Sequence, residues 1–90
     1  MRKLTDLIDA ETEFFDRVWY DRKKTFLDNI MSGKEEMGDE DNMDKMTAAM
    51  REFEQKYGEP TYTDFEWGMI NGKLSAIRWV MGEEWDFLDT

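Results

Sequence analysis

Hydrophobic and polar positions along the chain recur at steps of three and four in three stretches, which predicts three helices and no strand. The stretch at residues 64–81, DFEWGMINGKLSAIRWVM, is apolar on almost every side. At 100° per residue, Trp67, Ile70, Leu74, Ile77 and Met81 form one stripe, and Phe65, Met69, Ala76, Trp79 and Val80 cover most of the rest. Asp64, Asn71, Ser75 and Arg78 share a narrow polar strip, with Lys73 alone on the other side. A helix apolar nearly all round is expected to be buried in protein. Thr63 with Glu66 three residues on makes a capping box, Pro60 discourages an earlier helix, and Gly82 suits the stop.

Gly68, Gly72 and Ala76 lie one above another on this helix. Each interior glycine costs roughly 1 kcal/mol relative to alanine, so a close backbone is expected over them, within the fold or between two subunits.

Residues 4–31 predict the longest helix, with Leu4, Leu7, Ile8, Phe14, Phe15, Val18, Trp19, Phe26 and Ile30 on one face. Glu11 interrupts that face. Burial there calls for a partner, and Glu11 with Asn71, Ser75 and Arg78 is the expected buried polar network. The alternative is that Glu11 buries its stem and extends its carboxylate into water.

A third helix is predicted over residues 42–57, capped by Asn42 and stopped by Gly58 and Pro60. Met43, Met46, Met50, Phe53 and Tyr57 give it a narrow seam. Residues 33–42 connect it to the first helix, inside the acidic stretch GKEEMGDEDNMD. Read as a calcium loop from Asp39, that stretch places Met43 and Met50 where ligands belong, so a solvated connector is expected. The tail at residues 83–90 carries Trp85, Phe87 and Leu88 among carboxylates, and is expected to dock on its own domain or on a dimer mate. The fold expected is all-α: a three-helix bundle or helical hairpin plus a buried C-terminal helix, in a single domain over residues 1–90 with a short docking tail.

Charge narrows the partners. At net −10 the surface repels nucleic acid and anionic membrane. The apolar run at 64–81 is interrupted by polar residues and is too short for a membrane span. The absence of cysteine suits a reducing cytoplasm, and no secretory leader is visible at MRKLTDLIDAE.

Without histidine or cysteine, the commonest base, metal ligand and thiol nucleophile are missing, and no phosphate-binding loop is present. Carboxylate chemistry remains. All-α magnesium-dependent nucleotide pyrophosphatases use paired acidic residues, and Glu13/Asp16, Glu36/Asp39 and Asp41/Asp44 match that pattern incompletely. The chain is therefore expected not to be an enzyme, and no cofactor or metal is expected.

The segment WGMINGKLSAIRWVMGEEWDFLDT, the last quarter of the chain, resembles the C-terminal part of small acidic proteins of unknown function from marine phages and marine bacteria. The resemblance implies a phage or marine microbial source and an intracellular setting, and carries no activity with it.

The expected function is a small helical structural or protein-interaction module that forms a homodimer or binds a host or phage protein. The alternative is an acidic mimic of nucleic acid that occupies a DNA- or RNA-binding protein.

Overall fold

A computed structural model describes residues 1–85. It contains α1 (Leu4–Met31), α2 (Glu40–Tyr57) and α3 (Asp64–Val80), with no strand among the described residues. The chain is all-α, and no described helix is long and apolar enough to cross a membrane.

Local chemistry sets the helix ends. Thr63 and Glu66 form both bonds of the capping box: the Glu66 N–H donates to Thr63 Oγ1 at 3.1 Å, and the Thr63 N–H to Glu66 Oε1 at 2.9 Å. At the other end of α3, Gly82 has φ +106°, a conformation that a side chain would strain. The Gly82 N–H reaches the Trp79 carbonyl at 3.0 Å and the Glu83 N–H reaches that of Arg78 at 2.9 Å, the paired bonds of a Schellman stop. α2 begins at Glu40 rather than at Asn42. Asp39 is its N-cap without a side-chain bond, and Glu40 and Asp41 place their carboxylates in the first turn, where the helix dipole favours negative charge.

Contacts fall into two compact units. One joins Met1–Val18 to the segment from Tyr62 onward, and the other comprises Trp19–Thr61. α1 contributes to both. Its 28 residues extend about 42 Å at 1.5 Å per residue, well beyond the reach of an 18- or 17-residue partner.

In the second unit Tyr20, only 1% exposed, is the most buried residue described. Its ring stacks on Phe53 at 4.3 Å and 13°, and Phe53 meets Tyr57 at 4.9 Å. Met50 completes the buried cluster, against which Trp19, Leu27 and Met46 pack. The methionine seam of α2 is thus its inner side. The Tyr20 hydroxyl donates to Glu54 Oε2 at 2.6 Å, and burial, reinforced by that carboxylate, pushes the phenol well above its ordinary range.

The single apolar face expected along α1 is not what forms. Leu4, Ile8 and Phe15 are exposed, whereas Tyr20 and Leu27, which lie off that face, are packed. Val18 and Tyr20 are both buried although only two residues apart, Val18 in the first unit and Tyr20 in the second.

In the first unit Val18, Asn71 and Leu74 are buried, and Trp67, Ile70 and Ile77 are half-buried.

Candidate functional site

The first unit holds the unusual surface. Arg78 Nε donates to Glu11 Oε1 at 3.2 Å, and the Arg78 guanidinium lies 5.5 Å from the Phe15 ring centre. Nearby, Arg17 donates to Glu13 at 2.9 Å and to the Tyr62 hydroxyl at 3.1 Å, while Lys73 Nζ sits 5.7 Å from the Phe14 ring centre. Tyr62 had no signal in the sequence beyond its place ahead of the capping box.

The four-residue network expected around Glu11 reduces to one pair. Asn71 is buried, but its Nδ2 donates to the Trp67 carbonyl of its own helix at 2.9 Å, and neither it nor half-buried Ser75 is hydrogen-bonded to Glu11. The Trp67 carbonyl, one turn back on the same helix, satisfies the Asn71 amide locally.

These inner contacts decide which way α3 faces. Its polar strip, with Asn71 and Arg78, is turned toward α1. Its opposite side, with Phe65, Gly68, Met69, Gly72, Ala76, Trp79 and Val80, is turned outward, and all seven residues are exposed. They occupy an arc of about 120° at 100° per residue. No charged residue falls within it; Glu66, Lys73 and Asp64 lie at its margins.

This overturns the expectation that the chain encloses α3 on almost every side. Phe65 is 76% exposed and Trp79 50%. A Cβ built at Gly68 or Gly72 would meet nothing within 4 Å, so among the described residues no backbone lies closely over these two glycines. Among the described residues of this unit the first half of α1 is the one helical partner of α3, and one helix covers one side of another.

Past Gly82 the chain turns, and Trp85 stacks on Trp79 with centroids 5.0 Å apart and planes 11° apart. The tail thus begins by docking on its own unit; Phe87 and Leu88 lie outside the described residues. Met81 and Trp85 extend the exposed apolar surface beyond the end of the helix.

Elsewhere the features are weaker. A recess of about 350 Å³ in the second unit is lined by Trp19, Phe26, Met43 and Met46 with Lys23 and Asp39 at hand. Of the acidic pairs, Glu13 is tied to Arg17, and Glu36, Asp39, Asp41 and Asp44 are exposed on the connector and the start of α2. Among the described residues no three acidic side chains group so as to hold a metal ion.

No family model matches the chain, and no curated protein or solved structure matches it.

Proposed function

We propose that this protein is a small helical interaction module that pairs with a second copy of itself through the outward side of α3. The observation that carries this reading is the uncharged, exposed face from Phe65 to Val80 in a chain of net charge −10. Phe65, Trp79 and Trp85 leave on the order of 300 Å² of ring surface in water, taking 150–250 Å² per ring. With Met69, Val80 and Met81 added, that matches the largest apolar patch on a typical monomer, which is often a functional surface.

The glycines support the same reading. Gly68 and Gly72 cost α3 roughly 1 kcal/mol each, and nothing among the described residues uses the space they leave open. A second helix lying over the row would use it. Because the face carries no charge, pairing keeps the carboxylates of two acidic chains out of the contact.

Sedimentation equilibrium of the full chain tests this. The expected result is twice the 10.8 kDa chain mass, reached over a concentration range that shifts little between low and high salt. A mass of 10.8 kDa at every concentration overturns it. The acidic-mimic alternative has less behind it, because Glu35, Glu36 and Asp39 stand on the non-helical connector rather than on a rigid array.

A further inference from the structure

We propose that the recess in the second unit binds a free α-amino acid with a large apolar side chain, of which L-phenylalanine is the probe. The inference is independent of self-association through α3, because every residue lining the recess falls within Trp19–Thr61. Its floor is apolar: Trp19, Phe26, Met43 and Met46 line it and are half-buried. Trp19 and Met46 also pack against the Tyr20–Met50–Phe53 cluster, so that part of the floor is set by the core of the unit. At about 350 Å³ the recess is at the small end of the range for small-molecule pockets. Thioether side chains adapt to an aromatic guest and make favourable contacts with its ring.

Charge at the edge specifies the rest of the ligand. Lys23 and Asp39 both line the recess, and among the described residues the fold uses neither in an ion pair. Lys23 Nζ lies 5.9 Å from the Phe26 ring centre and has no carboxylate partner, whereas Arg17 and Arg78 are each tied to a glutamate. Asp39 is the N-cap of α2, yet its side chain makes no capping bond. Two unlike charges that share a recess without meeting are matched by a ligand carrying a carboxylate for Lys23 and an ammonium for Asp39. A plain anion is opposed by the net charge of −10 and by Asp39, and a plain cation is opposed by Lys23. A zwitterion is neutral overall and offers each residue the opposite sign. An α-amino acid holds both charges beside its side chain, and the flexible Lys23 stem adjusts to the carboxylate.

Methyl-labelled methionine in the full chain locates the ligand, since Met43 and Met46 line the recess while Met69 and Met81 belong to the other unit. Titration with L-phenylalanine is expected to shift the Met43 and Met46 methyl resonances saturably and to leave those of Met69 and Met81 in place. N-acetyl-L-phenylalanine lacks the ammonium, and L-phenylalaninamide lacks the carboxylate. Each is expected to bind about fivefold more weakly, as one partly screened charge contact is worth. Lys23→Gln is expected to weaken L-phenylalanine by a similar factor without weakening L-phenylalaninamide, and Asp39→Asn to do so without weakening the N-acetyl compound. Circular dichroism checks that both variants are folded.

The absence of a saturable shift at Met43 and Met46 overturns the proposal, as do shifts confined to Met69 and Met81. Equal binding of all three compounds to the unaltered chain overturns recognition of a zwitterion, whatever the two variants do. None of these outcomes bears on the mass of the chain in solution, which tests the pairing through α3 separately.

Discussion

Arg78 Nε donates to Glu11 Oε1 at 3.2 Å, joining the last turn of α3 to the first half of α1 across 67 residues of sequence. The two side chains are about a quarter exposed, so solvent screens the pair in part. Its structural effect exceeds its energy: with Arg78 held on the α1 side, the Gly72–Ala76 row must face the other way. Glu11→Leu is expected to lower unfolding free energy by about 1 kcal/mol in urea titration, and Glu11→Gln by less, since an amide oxygen still accepts. Unchanged midpoints for both would mean that the pair does not hold α3.

The Tyr20–Phe53 stack makes the second unit sensitive to small changes. Tyr20→Phe keeps the ring and removes the bond to Glu54, for an expected loss of about 1 kcal/mol. Phe53→Ala opens a cavity beneath Tyr20 and is expected to cost about 3–5 kcal/mol. The raised Tyr20 pKa fixes a sign. The folded state keeps its proton at pH values where the unfolded chain has lost it. This contribution is therefore complete below the ordinary value near 10 and declines as pH rises from there through the raised value. Alkaline unfolding of Tyr20→Phe should lack that component.

At the start of α3, the Thr63 backbone N–H and then its hydroxyl hold the Glu66 carboxyl below its ordinary range. The sign is the opposite of that for Tyr20. The contribution is present above the ordinary value near 4.5 and is lost as pH falls through the lowered one. Thr63→Ala removes the acceptor for the Glu66 N–H and is expected to cost about 1 kcal/mol with little dependence on pH, whereas the deficit of Glu66→Gln is expected to shrink in acid. A Glu66→Gln deficit constant down to pH 2 would show that the carboxylate charge adds nothing to the capping box.

Much of this was readable in the residues, and the exceptions have physical causes. Helix ends depend on neighbours in sequence, which is why Thr63–Glu66, Gly58 and Gly82 mark them correctly. Glu11 and Arg78 were legible as members of one polar network, Glu11 because it interrupts the apolar face of α1 and Arg78 because it stands on the polar strip of α3, but not as the one pair that forms. Tyr20 was not, because a tyrosine two residues after Val18 breaks the helical step, and only the change of unit along α1 explains its burial. The outward turn of α3 was illegible for a different reason. An all-round apolar helix demands cover, but periodicity does not say whether the cover comes from the same chain.

If Gly72 is open within one chain, adding a methyl group there costs that chain nothing. In a background held monomeric by Ala76→Glu, Gly72→Ala is expected to raise unfolding free energy by about 1 kcal/mol. In the otherwise unaltered chain the same substitution is expected to weaken association. A destabilised monomer would place a hidden contact over Gly72.

The most direct test of the outward face is the mass of Ala76→Glu in solution beside that of the unaltered chain. Ala76 is exposed and helical, so a glutamate there should leave the circular dichroism and the melting of a single chain unchanged. The expected outcome is a folded species of 10.8 kDa where the unaltered chain gives twice that mass. A folded Ala76→Glu protein that still sediments at the doubled mass would contradict the assignment of this face as the contact.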